Sequence, residues 1–277
     1  MKTYLIADSG GTQTDWCFID ENANRHFFTT PSFHPVNWND EFIEEYQTFF
    51  NTHFNYFSAQ VHFYGAGCLQ ESNRSKIKDI FLNWGFSQVH IFSDIEGACH
   101  AALGVNQGVV AILGTGSVVC EYKGDEIKNI RGGFGFLLGD EGSGYHFGKL
   151  FLNKFLNNEI PVEYYDQLTH VIGDRRSILS NVYGVEGKLF ISSISSKLGE
   201  FNSYDFVKEI HFENYQIFIE KYILPIVSKE KQFSVIGRYG YINKEIVTEI
   251  ANDFGWKIKA FIPAPIAKIV DYVLSDR

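Results

Sequence analysis

Two glycine-threonine turns hold the residues of this chain best suited to work on an anion. One closes the run Tyr4-Leu-Ile-Ala-Asp-Ser-Gly-Gly-Thr12, the other the run Val109-Val-Ala-Ile-Leu-Gly-Thr-Gly-Ser117, and each leads on into a further strand-like segment. A glycine-rich turn lets backbone approach a ligand closely and aim several N–H groups at it. Gly10, Gly11 and Thr12 in the first turn, and Gly114, Thr115 and Gly116 in the second, are therefore candidate phosphate contacts, with the threonine hydroxyls as extra donors. A lone Gly-Gly pair reads as a hairpin turn. Its recurrence at the matching point of an internal repeat points instead to a nucleotide phosphate chain.

Carboxylates complete the inventory. Asp8 ends an apolar strand, where an unpaired charge is costly, and a magnesium shell reached through water would account for its position. Asp94 follows a short strand and precedes a helix; it reads either as an N-cap or as a general base at a strand's carboxyl end. Asp140 and Glu141 sit among glycines and aromatics, a composition suited to a polyhydroxyl ligand. Walker, dinucleotide, zinc-hydrolase and serine-hydrolase signatures are all absent.

The elements that must position these residues recur in two halves. In the first, Lys2–Ala7, Thr14–Asp20 and Arg25–Thr29 read as an antiparallel meander. Helix Glu41–Phe50, strand Val61–Gly65, helix Ser72–Trp84 stopped by Gly85, strand Val89–Phe92 and helix Ile95–Leu103 follow. A second meander starts at Gly108. Arg131–Gly148 carries too many glycines for a simple element. Helices at Lys149–Asn157 and Phe206–Val227, strand Phe233–Gly237, helix Ile242–Phe254, strand Trp256–Phe261 and helix Ala264–Leu274 complete the chain. This alternation predicts two α/β domains around a cleft, residues 1–105 and 106–277.

Composition narrows the class. The 277 residues, 45% hydrophobic and 21% charged, suit a globular protein, and a net charge of −9 argues against nucleic acid as a partner. Asp8 arrives too early for a signal peptide, no run is long enough to span a bilayer, and the four cysteines lack ligand spacing. The expectation is a cytoplasmic protein without membrane or nucleic-acid partners.

Taken in order, Asp8-Ser-Gly-Gly-Thr-Gln-Thr14, Ser93-Asp94, Ile112-Leu-Gly-Thr-Gly-Ser117 and Gly132-Gly-Phe-Gly-Phe-Leu-Leu-Gly-Asp-Glu-Gly-Ser-Gly144 resemble the N-acetylglucosamine kinase branch of the BadF/BadG/BcrA/BcrD ATPase family. That family belongs to the actin, Hsp70 and sugar kinase superfamily. The resemblance implies duplicated ribonuclease-H-like (actin-like ATPase) domains, the second with a helical insertion, around a nucleotide-binding cleft that takes ATP and Mg²⁺. It implies Asp94 as the catalytic base and Thr12 and Thr115 as phosphate-loop threonines. Gly133, Phe134, Gly135 and Asp140 then bind the sugar, as does Asp94, and Gly237 is the adenosine-loop glycine. His34 replaces a sugar-contacting Asn of the relatives, with Asn37 assigned to the same site. Phe134 replaces Trp, and Arg238 and Tyr239 replace small residues.

The activity so implied is ATP-dependent phosphorylation of an amino sugar, N-acetylglucosamine at its C6 hydroxyl or a relative such as N-acetylmuramic acid, with a homodimer as a further expectation. An ATPase activator of an iron–sulfur enzyme, or a non-catalytic sugar or nucleotide sensor, are the alternatives. The first needs paired thiolates that the cysteine spacing does not offer.

Overall fold

The structure, a computed structural model, describes residues 2–35, 38–53 and 58–275. The chain divides into two compact units. The first comprises Met1–Val105 with Ala264–Arg277, and the second Asn106–Pro263.

In the first unit, strands β1 (Tyr4–Ser9), β2 (Gln13–Ile19) and β3 (Arg25–Pro31) form the meander. Helix α1 (Asp40–His53), strand β4 (Gln60–Gly65), helix α2 (Glu71–Asn83), strand β5 (Gln88–Ser93) and helix α3 (Asp94–Leu103) follow. The sheet order is β3-β2-β1-β4-β5, with β4 and β5 parallel to β1. Strand β1 is apolar from Tyr4 to Ala7 because both its faces are covered there. Leu5 and Ala7 join a core with Trp16, Phe33, Phe63 and Phe81, while Tyr4 and Ile6 point into another with Cys17 and Tyr64. Strand β3, at the edge, is largely exposed and polar.

The second unit repeats this plan. Strands β6 (Gln107–Leu113), β7 (Ser117–Lys123) and β8 (Ile127–Gly132) form its meander. Five α-helices lie between them and strand β9 (Gln232–Ile236): α4 (Gly144–Leu156), α5 (Tyr165–Ile172), α6 (Arg175–Val182), α7 (Gly187–Lys197) and α8 (Asp205–Phe218). Helices α9 (Arg238–Ile242) and α10 (Lys244–Asp253) and strand β10 (Lys257–Ile262) follow. The order β10-β9-β6-β7-β8 is that of the first sheet, position for position.

Two expectations change here. Helix α11 (Ile266–Ser275) belongs to the first unit, not to the second as residues 106–277 implied. Its buried stripe of Ile266, Ile269, Val270 and Val273 completes the core of Tyr4, Ile6 and Tyr64. And the glycine-rich Arg131–Gly148 is not without regular structure, since α4 begins at Gly144. Gly148 lies against the Ile191 carbonyl of α7, so there the missing side chain permits a close helix contact.

Candidate active site

In the first unit the hairpin β1–β2 sets two carboxylates face to face, because Asp8 pairs with Asp15 across the strands. Asp15 was not singled out from the sequence; the hairpin register is the signal that could have found it. The Asp8 carboxyl is pushed up to about 8, chiefly by burial, with the nearby charges of Asp94 and Asp15 adding to the rise. Asp15 is likewise raised by burial, and Gln13 Nε2 donates to its Oδ1 at 2.8 Å. The turn between the strands is fastened from outside. Ser32 Oγ donates to the Gly10 carbonyl at 2.6 Å, and Gly10 N–H donates to the Gln13 carbonyl at 3.0 Å. Thr12 at its tip is exposed.

Asp94 is the first residue of α3, not its N-cap as one reading of the sequence allowed. Ser93 takes that place in a capping box, its Oγ accepting from Glu96 N–H at 3.2 Å while Glu96 Oε2 accepts from Ser93 N–H at 2.7 Å. Arg74 of α2 steadies the same corner, donating to Glu96 Oε2 and to the Cys68 carbonyl, each at 2.6 Å. Capping is thus done by neighbours. Burial pushes the half-buried Asp94 carboxyl up to about 6, and the N–H groups of Ile95 and of Asp94 itself hold back the rise. A carboxyl in that range accepts a proton readily near neutral pH. His34 is also in this unit, with its ring against Gly67 just past β4. Asn37 lies outside the described residues.

The second unit holds its turn by different means. Gly144 N–H donates to the Gly114 carbonyl at 2.9 Å and Tyr145 N–H to the Thr115 carbonyl at 3.3 Å. The first amides of α4 are thereby spent on the turn's carbonyls. Asp140, 5% exposed, accepts from Ser117 N–H at 3.1 Å, and its carboxylate fills the space where Gly116 would carry a Cβ. Its pKa is raised by burial, against the pull of the Ser117 bond. Gly237, at φ +112, sits on the same turn; a Cβ there would stand 2.7 Å from the Leu113 carbonyl oxygen. Gly114, Thr115, Gly116, Asp140 and Gly237 therefore form one assembly.

The two adjacent acids do not share a task. Burial would raise the Glu141 pKa, but hydrogen bonds from Lys221 and Tyr222 outweigh it and the pKa is lowered. Glu141 is thus a tie between the loop and the helical turn Ile219–Ile223 that follows α8. Gly133 and Gly135 have φ of +70 and +76, and they present Phe134 outward at 65% exposure.

Gly11 and Gly114 differ from the close-packed Gly116 and Gly237 and from the positive-φ Gly133 and Gly135. Neither has a positive φ, and an added Cβ would meet nothing within 4 Å at either position. The fold itself does not require glycine there.

The oxygen-only set of Asp8, Asp15 and Asp94 suits a hard cation such as Mg²⁺. No three acidic, cysteine or histidine side chains converge tightly enough to hold a metal by themselves among the described residues. An ion here would need water or ligand oxygens to complete its shell. All four cysteines are buried, and none of them is in a disulfide. Among the described residues, no helix is long and apolar enough to cross a membrane.

No family model matches the chain. An N-acetylmuramic acid/N-acetylglucosamine kinase of Clostridium acetobutylicum is 34% identical over 85 residues, a stretch spanning 30% of this chain and 28% of that protein. A Porphyromonas gingivalis protein provisionally designated an N-acetylglucosamine kinase superposes with a TM-score of 0.91 at 24% identity over 99% of both chains. A Chromobacterium violaceum protein with the same provisional designation gives 0.71 at 15% identity, again over 99% of both. The chain has the duplicated actin-like α/β fold that the sequence resemblance implies, in the form taken by these kinase-designated structures.

Proposed function

We propose that this protein is an ATP-dependent amino-sugar kinase acting on N-acetylglucosamine at its C6 hydroxyl or on a close relative such as N-acetylmuramic acid. The observation that carries the reading is the pair Gly11 and Gly114. Glycine at equivalent turns, unneeded by the fold at either, is explained by a ligand that must approach the backbone. The Clostridium relative's designation supplies the substrate class.

In this reading Thr12, Thr115 and the N–H groups of the two turns hold the phosphates of ATP, with Gly237 beside the adenosine. Asp94 accepts the proton of the sugar hydroxyl as its oxygen attacks the terminal phosphorus and ADP leaves. Positioning and charge stabilisation supply most of the acceleration in such transfers. Mg²⁺, held by Asp8 through water, would offset charge on the phosphate oxygens. His34 and the Gly133–Gly135 segment, with the exposed ring of Phe134, take the sugar. Asp140 acts first as a brace for the 114–116 turn.

Calorimetric titration with ATP, N-acetylglucosamine, N-acetylmuramic acid, glucosamine and glucose, followed by mass detection of sugar phosphate, tests the proposal. An acetylated amino sugar should bind tightest and become phosphorylated. Binding without product across the set would favour a sensor.

A further inference from the structure

Tyr239, two positions after Gly237, is turned inward and only 8% exposed. Its Oη accepts from Asn214 Nδ2 at 3.0 Å and lies 2.9 Å from His211 Nδ1. Asn214, fully buried on α8, spends its remaining capacity on the loop before α4. Its Oδ1 accepts from Gly142 N–H at 3.0 Å and contacts His146 Nδ1 at 2.6 Å, and its Nδ2 also donates to the Ser143 carbonyl at 3.1 Å. That loop continues into Gly144, whose N–H holds the Gly114 carbonyl. One chain of bonds thus runs from the residue after Gly237's neighbour to the 114–116 turn.

His211 is the unusual member. Burial lowers its pKa to about 3, so the ring stays neutral. It stacks on Phe147 at 4.0 Å, and its Nε2 is buried without a partner. A phenylalanine would fill the same slot without an orphaned nitrogen. What the imidazole adds is its bond to Tyr239.

We infer that Tyr239, held by Asn214 and His211, is a positioning residue that locks the Gly237 turn to the 114–116 turn. The base and the phosphates of the nucleotide then bind as one rigid ligand. This rests on the kinase reading above. A lock of this kind cuts the ordering cost of binding the whole molecule while leaving its separate parts indifferent.

The test is Tyr239→Phe, which keeps the ring and removes one oxygen, with dissociation constants measured for ATP, adenosine and inorganic tripolyphosphate. ATP affinity should fall roughly three- to tenfold, a part of the weight of the two buried hydrogen bonds that the oxygen makes to Asn214 and His211. Adenosine, tripolyphosphate and sugar KM should be unchanged. His211→Phe, which preserves the stack on Phe147, should shift ATP in the same direction by less, and the double variant should be no worse than Tyr239→Phe alone. A lower melting temperature with unchanged ATP affinity would make Tyr239 a packing residue and overturn the proposal, as would equal losses for ATP and both fragments. Failure of the wild type to bind ATP or tripolyphosphate would instead remove the kinase reading beneath it, before any substitution is made.

Discussion

The two hairpin turns occupy equivalent places in sheets of identical strand order, yet their flanks are opposites. Beside the first turn, Asp8 faces Asp15 across the strands; one step before the second, Ile112 faces Val118. Like charges directly opposed destabilise a sheet, whereas apolar pairs support it. The second turn is braced on several sides by Asp140, Gly144, Tyr145 and Gly237. The first is fastened at Gly10 and surrounded by raised carboxyls. Repetition kept the scaffold and changed the flanks: the first half sets carboxyls against each other at a cost in stability, and the second braces an apolar turn.

The largest expected effect strikes the charged half. Asp94→Asn should lose ~10²–10⁴-fold in turnover while binding ATP and sugar nearly as before. In the wild type, kcat/KM should fall as pH drops below about 6, because a base must be ionised to accept a proton. Steady-state kinetics set beside calorimetry on the same samples reads both.

The seat can be probed by its glycines. Gly116→Ala drives a Cβ to 2.9 Å from the Asp140 carboxylate and should cost ~1–3 kcal/mol of stability together with ATP affinity. Gly11→Ala and Gly114→Ala meet open space, so both should weaken ATP binding at an unchanged melting temperature. An early-melting Gly114→Ala would show that the fold needs that glycine after all.

Asp140→Asn should lower the melting temperature and raise the KM for ATP more than that for sugar, since the bond it weakens is to Ser117. A rise confined to sugar KM, in a variant that melts normally, would assign Asp140 to the sugar instead.

The smallest effect is on stability without metal. Folding raises the Asp8 pKa from 3.8 to about 8, so the folded protein retains a proton that the unfolded chain has released. Metal-free stability should therefore fall as pH rises between those values. Asp8→Asn should flatten that slope and melt a few degrees above wild type at pH 8. Mg²⁺ should narrow the gap by protecting the wild type. Thermal melts at pH 5 and pH 8, with and without the ion, check it.

Much of this was legible in the sequence, for local reasons. The turns, strands and paired meanders follow from apolar runs and glycine placement, which act over short distances. The capping box of Ser93 and Glu96, which frees Asp94 from capping, was missed although its Ser-x-x-Glu spacing is local. What else escaped depends on register or on distant partners. Asp15 acquires meaning only opposite Asp8, and Glu141 only once Lys221 and Tyr222 reach it. Residues 264–277 join the first unit through a stripe of Ile and Val that any apolar face could have matched. Tyr239 read only as a departure after the adenosine-loop glycine, and the fold turns it inward toward Asn214.

The most direct test of sugar phosphorylation is ADP release from ATP and Mg²⁺ by the wild-type protein, with and without N-acetylglucosamine, with the position of the transferred phosphate read by NMR. ADP formation should depend on the sugar and match it mole for mole with phosphate on C6. ADP released at the same rate without any sugar, and no phosphorylated product, would contradict a sugar kinase and point to an ATPase.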